Sequence, residues 1–137
     1  LCQHPGGTAM SDFNAEHNRI VWADIPVADL DRAVKFYGAV CGIGVHCEIH
    51  DEFSFAVLDH DQGNGACLVV DPDKISGEHG PLVYMNVEGR IHDAVSKVVP
   101  NGGTITQDTH SIGPWGFRAL ITDSEGNRLA LHSQTDA

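Results

Sequence analysis

Hydrophobic and polar positions alternate along residues 21–27 (VWADIPV). Val21, Ala23, Ile25 and Val27 fall on one side, with Trp22 and Asp24 between them. That period of two predicts a strand with one packed face. The small apolar face belongs against a helix, and Trp22 and Asp24 look the other way, into whatever the sheet encloses. The period then changes. Leu30, Ala33, Val34, Tyr37 and Cys41 recur at helical spacing, with Asp29 placed to cap the helix start and Gly42 to end it. Strands are predicted over residues 45–49, 53–59 and 66–71, with a turn at 60–65 (HDQGNG). After the polar stretch 71–80 (DPDKISGEHG) the order repeats. A strand at 83–87 (VYMNV) leads to a helix at 90–99 (RIHDAVSKVV), then Gly102-Gly103 and strands at 104–108, 116–122 and 128–131. The stretch 123–127 (DSEGN) is a hairpin turn, its Gly and Asn supplying positive φ. In this second copy Val83, Met85, Val87, Leu129 and Leu131 face the helix, while Leu82, Tyr84, Asn86, Arg128, Ala130 and His132 face the interior. One βαβββ unit is therefore written twice. The prediction is an α+β fold with pseudo-twofold symmetry and a cleft between or across the halves in which a small molecule would sit.

Length and composition narrow this without changing it. At 137 residues the chain is one domain by size. Residues 20–133 form that domain, with modules at 20–71 and 81–133 and a linker at 72–80. Residues 1–19 read as an N-terminal extension, with Met10 as a native start and residues 1–9 upstream of it. A hydrophobic content of 42% and a charged content of 20% describe a globular chain. The net charge of -11 argues against nucleic acid or an anionic membrane as partner, and is permissive of a cationic ligand. Cys2, Cys41, Cys47 and Cys67 contain no CxxC pair and read as small buried hydrophobes in a reducing compartment. No apolar run reaches membrane-spanning length, and the first residues have neither the basic start nor the apolar core of a signal peptide. The expected location is the cytoplasm.

The order βαβββ twice, the opening DIPVADLDRAVKFY and the closing WGFRALITDSEGNRLALHS together resemble the vicinal oxygen chelate superfamily, which includes glyoxalase I, bleomycin-resistance proteins and extradiol dioxygenases. The similarity runs from Ile20 to Ser133. It rests on a V-x-DL-x-R-A-x-x-FY piece in the first half and a D-x-EGN-x-L-x-L piece in the second. The resemblance implies curved sheets forming a half-barrel around a cavity, and a homodimer. It also implies a divalent metal held by side chains on the first and last strands of each module. Imidazole and carboxylate donors with open positions suit that role. Those slots fall on Trp22, Leu68, Leu82 and Ala130, none of which can ligate a metal, and neighbouring Cys67, Val83, Leu129 and Leu131 do not rescue the set. No cofactor is expected. A divalent metal enters only if the protein is an enzyme with a site of another kind.

What strand parity leaves inside is a binding set: Trp22, Asp24, Tyr84, Asn86 and His132, with Trp115 at the rim. Aromatic walls and a few polar groups are the usual lining of a small-molecule pocket. The competing reading is that Trp22 and Tyr84 merely fill the barrel. Asp24 and His132 are the candidate catalytic residues, Asp24 as a general base or as partner to a cationic ligand. Its structural alternative is a hydrogen bond to backbone, Arg118 or Arg128. The loop 113–116 (GPWG) is expected to form a lip over the cavity. His46 and His50 share a strand face but lie too far apart for one metal, and His60, His79 and His110 are placed in loops. The sequence thus predicts metal-independent small-molecule binding, such as sequestration of an antibiotic or toxic compound. The alternative is a lyase, isomerase or dioxygenase of the lactoylglutathione-lyase or extradiol kind with a non-standard or metal-free acid–base site.

Overall fold

The computed structural model describes residues 16–49 and 54–137. The chain runs β1 (Trp22–Val27), α1 (Leu30–Cys41), β2 (Val45–Ile49), β3 (Ser54–Leu58), β4 (Gly65–Val70), β5 (Val83–Asn86), α2 (Ile91–Ser96), β6 (Thr104–Ser111), β7 (Phe117–Thr122) and β8 (Arg128–Ser133). Two four-stranded sheets result, ordered β1-β4-β3-β2 and β5-β8-β7-β6. In each, the first strand runs parallel to the last and the remaining pairings are antiparallel. This is the α+β fold of two βαβββ modules that the sequence predicts. No helix among the described residues is long and apolar enough to cross a membrane.

The first helix forms as its sequence dictates. Asp29 accepts a hydrogen bond from the Arg32 N–H, and Gly42 closes the helix at φ 68°, a left-handed conformation that glycine adopts without a Cβ clash. The second helix is shorter than its apolar periodicity predicts. It ends at Ser96, and Val99–Asn101 forms a 3-10 turn instead. Pro100 is a reason: it lacks the N–H that would donate to the Ser96 carbonyl, so the α-helical ladder stops there. Strand β6 differs in the other direction, continuing to Ser111 through two register shifts. It carries His110 into the sheet, opposite Arg118, where the sequence reading has a loop.

Each sheet turns one face to the helices. Ala23, Ile25, Val27, Ala56, Leu58 and Leu68 of the first sheet, and Val83, Met85, Ile121, Leu129 and Leu131 of the second, join Phe36, Tyr37, Val40, Ile91, Ala94 and Val98 in one core. Register corrects one assignment. Asp24 pairs with Cys67 and Ile25 with Leu68, so Leu68 points into the core, where it is fully buried. Cys67, not Leu68, occupies the concave position of β4, and its counterpart Ala130 is paired with Tyr84 in β8. A second correction concerns the cysteines. Cys41 and Cys67 are free and buried, whereas Cys47 is disulfide-bonded. The all-thiol reading fails there because period and burial register only that Cys47 is apolar and inward. Burial pushes the Cys41 thiol up to about 11, which keeps it protonated.

The modules are joined by polar groups at the edge of this core. The Tyr37 hydroxyl donates to Asp123 Oδ2 at 2.6 Å, and Asn127 Nδ2 donates to the same oxygen and to the Pro26 carbonyl. Glu125 reaches from the β7–β8 turn to the start of α1. It accepts from Arg32 Nε and Nη2 and from the backbone N–H groups of Ala28 and Asp29, at 2.7–2.9 Å. Burial alone would raise the Glu125 carboxyl pKa, but these donors and the Ser124 hydroxyl overcome it and hold the pKa at about 2. Burial and the facing Asp123 carboxylate raise the Tyr37 phenol well above its usual range.

Candidate functional site

Among the described residues two cavities stand out. The larger, about 460 Å³, lies on the second sheet and is lined by Tyr84, Ile112, Trp115, Arg118 and His132. The other, about 380 Å³, lies between the modules, where β1 and β5 are the facing sheet edges. Trp22, His60 and Asn64 line one side of it, and Val83, Tyr84 and Asn86 the other. Tyr84 borders both.

The larger cavity is built by register. Tyr84 on β5 leads to β8, where Ala130 is its direct partner and His132 lies one step along the same face. Arg118 on β7 is paired with His132, and His110 on β6 with Arg118. Tyr84, His132, Arg118 and His110 therefore form a row across four strands. The loop carrying Trp115 is a 3-10 turn, Gly113–Trp115, ended by Gly116 at φ 100°. Any Cβ at Gly116 would stand 2.5 Å from the Ser133 carbonyl, so only glycine lets this loop lie against β8. His132 Nε2 sits 2.7 Å from the Trp115 carbonyl, which can only accept, so Nε2 carries the proton and ties the loop to the strand. The Trp115 ring is 71% exposed at the rim.

Arg118 is the charged group of this cavity. Its Nε–H donates to His110 Nε2 at 3.1 Å and Nη1 donates to the Tyr84 hydroxyl at 2.6 Å. His110 Nδ1 lies 2.8 Å from the Asp108 carbonyl. The imidazole thus gives its proton to the backbone on one side and a lone pair to Arg118 on the other. That assigns the neutral Nδ1–H tautomer, and both partners of the guanidinium are neutral.

The residues singled out in the sequence divide between the cavities. Tyr84, Trp115 and His132 line the larger one, and Tyr84 and His132 meet edge-on with ring centroids 6.2 Å apart. Trp22, Tyr84 and Asn86 line the cleft. Trp22 stands edge-on to His60, and its indole N–H donates to the Cys67 sulfur at 3.4 Å. Asp24 is exposed, lines neither cavity, and accepts from the Cys67 thiol at 3.2 Å rather than from Arg118 or Arg128. Asp24 and His132 lie on different sheets, and no hydrogen bond joins them. Phe117 packs against the core. Arg128 donates to the Gly80 carbonyl. His46 pairs with Asp59 at 2.6 Å, while His50 lies outside the described residues. Sequence reasoning missed Arg118 and Ile112 as lining residues. Parity could have found Arg118, which alternates with Ala119 and Ile121 just as His132 alternates with Leu131 and Ser133.

The donor set does not fit the divalent metal implied by the resemblance. With register corrected, the relevant positions hold Trp22, Cys67, Leu82 and Ala130, and the thiol is already engaged by Trp22 and Asp24. Among the described residues no three His, Cys, Asp or Glu side chains converge.

Residues 19–59 match the family model described as bleomycin resistance protein-like N-terminal. Solved structures extend the likeness over both modules. A glyoxalase/bleomycin resistance protein from Albidiferax ferrireducens T118 superimposes with a TM-score of 0.65 at 17% identity, covering 82% of this chain and 95% of the other. This is the glyoxalase/bleomycin-resistance fold. A glyoxalase-related enzyme from Fulvimarina pelagi gives a TM-score of 0.64 at 13% identity, over 85% of this chain and 88% of its own. The fosfomycin resistance protein FosX from Listeria monocytogenes also gives 0.64, at 9% identity, over 85% of this chain and 93% of the other. No protein of curated function matches in sequence. Proteins described as enzymes and as resistance proteins thus share the fold found here.

Proposed function

We propose that this protein binds a small organic molecule on the concave face of its second sheet, without a metal, and acts by sequestering it. The observation that carries the reading is the cavity of about 460 Å³ in which Tyr84, Ile112, Trp115 and His132 wall a guanidinium already fixed by two neutral partners. Aromatic walls around a few oriented polar groups are what a small-molecule site needs. The positions that would carry metal-dependent chemistry hold an indole, a thiol, a leucine and an alanine. Asp24 and His132, the pair considered for metal-free acid–base catalysis, do not meet.

A panel of flat aromatic compounds, antibiotics among them, screened by thermal shift tests the proposal. At least one compound should raise Tm, because a ligand that binds only the folded state stabilises it. The gain should vanish in Trp115→Ala and survive treatment with a chelator. A panel without hits, or a Tm gain abolished by the chelator, would end the proposal.

A further inference from the structure

Accepting that the cavity of the second sheet is the binding site, we propose that its ligand is an amphipathic oxyanion: an aromatic or flat apolar body carrying a carboxylate, sulfonate or phosphate group held by Arg118. The sign is opposite to the one suggested by the net charge of -11. Net charge governs the far field, whereas recognition is set by the groups within hydrogen-bond reach.

Acidic side chains outnumber basic ones 19 to 8 in this chain. Arg32 accordingly pairs with Glu125, Arg90 and Lys97 with Asp93, and Lys74 with Asp71. Among the described residues Arg118 meets no carboxylate. Its two partners, the His110 ring nitrogen and the Tyr84 oxygen, are neutral, and they immobilise the fork without neutralising it. The Nη2 amino group takes part in neither bond. The Tyr84 oxygen accepts from Arg118, which leaves its own O–H free to donate. The cavity therefore offers a fixed positive charge and several unspent donors, with no charged acceptor among its described lining residues. A planar guanidinium with free N–H groups selects an oxyanion, which it binds through short, charge-assisted hydrogen bonds. Ile112, Trp115 and the His132 ring supply the apolar wall for the rest of the molecule. The cost of orienting the arginine is already met in the fold, which is the condition for such a contact to add affinity.

Two fluorescent probes that share one aromatic body test this: anilinonaphthalene sulfonate, which carries the anion, and phenylnaphthylamine, which lacks it. The full chain should bind the sulfonate at least tenfold more tightly. Arg118→Gln should lower sulfonate affinity about tenfold or more and leave phenylnaphthylamine within about twofold, since only the sulfonate makes charge-assisted hydrogen bonds to the guanidinium. Arg118→Lys should recover part of the loss by keeping the charge, and circular dichroism melts of both variants verify folding. Trp115→Ala should weaken both probes. Titrating the sulfonate probe off with benzoate and with phenyl phosphate ranks the oxyanion classes. Equal binding of the two probes, or an Arg118→Gln loss common to both, would overturn the oxyanion proposal while leaving the pocket standing. Failure of both probes to bind the unmodified chain, or binding indifferent to Trp115→Ala, would overturn the pocket as well.

Discussion

The two sheets have the same strand order and the same mix of parallel and antiparallel pairs, yet their concave faces have little in common. Where the first face has Asp24 beside Cys67, the second has Tyr84 beside Ala130. The first pair closes on itself: thiol donates to carboxylate, and Trp22 donates to the thiol. The second leaves space, because alanine ends at Cβ and the tyrosine hydroxyl turns to Arg118. A duplicated backbone fixes where side chains point but not what they are. One face has become a wall of hydrogen-bonded side chains and the other holds a cavity. The helices diverge in the same way. α1 has twelve residues with caps at both ends, whereas α2 has six and no side-chain cap. The longer helix serves both modules, and Phe36 and Tyr37 on α1 reach Gly103 and Asp123 of the second.

That asymmetry between the helices can be broken most severely at Phe36. The ring is fully buried and close to Gly103 and Val98. Phe36→Ala should cost about 3–5 kcal/mol in urea unfolding, the usual range for emptying such a site. Val95→Ala on half-buried α2 positions should cost about 1 kcal/mol. Equal losses would mean that the two helices are equivalent after all. Tyr37→Phe probes the polar part of the same joint. It leaves Asp123 Oδ2 with Asn127 as its remaining side-chain donor and should cost about 1–2 kcal/mol, with no change in probe binding on the second face.

The joint also explains how the sequence could disclose the fold and so little of the site. The two family-like pieces, V-x-DL-x-R-A-x-x-FY and D-x-EGN-x-L-x-L, are separated by most of the chain, yet their polar residues meet one another. Arg32 pairs with Glu125, and Tyr37 with Asp123. What they encode is the docking of one module on the other, a structural requirement met before any ligand arrives. Alternation gave the right facing residues on β1, β5 and β8, because burial is a local property of period two or 3.6. On β4 the run Ala66, Cys67, Leu68 is buried on both faces, so alternation vanished and Leu68 was placed on the wrong side. The aromatic residues that line the cavities were legible in the sequence. Arg118 was not singled out because its meaning lies in the absence of a carboxylate neighbour, which no spacing along the chain records. His110 was placed in a loop because β6 is irregular, and register shifts leave no hydrophobic signature.

Acid should separate the joint from the rest of the fold. Glu125 titrates near 2 in the folded chain against an ordinary value of 4.5. A depressed carboxylate pKa adds stability that is fully present above the unfolded value and is lost as pH falls through the folded one. The window is therefore from about pH 4.5 down to about pH 2. With Arg32 half exposed and screened by solvent, the loss should be about 1–2 kcal/mol. Glu125→Gln should start less stable at pH 7 and show a shallower fall of Tm across that window. Parallel curves for the two proteins would locate the acid sensitivity elsewhere.

The smallest effect is the sharpest test of the two faces. By alternation alone, Asp24 and Tyr84 are the same residue in two copies, each on the first strand of its module and each facing away from the helices. The structure separates them by surroundings. Asp24 lines neither cavity and is spent on the Cys67 thiol, while Tyr84 borders both cavities and orients Arg118. Asp24→Asn keeps the size and an acceptor for the thiol. It should therefore leave anilinonaphthalene sulfonate affinity within about twofold and stability within about 0.5 kcal/mol, as expected of an exposed position. Tyr84→Phe removes both the acceptor that fixes Nη1 and the free hydroxyl proton, and should weaken the same probe several-fold. If Asp24→Asn were the more damaging of the two, the functional face would have to be reassigned to the first sheet. The indole–thiol–carboxylate chain of Trp22, Cys67 and Asp24 would then be its recognition element.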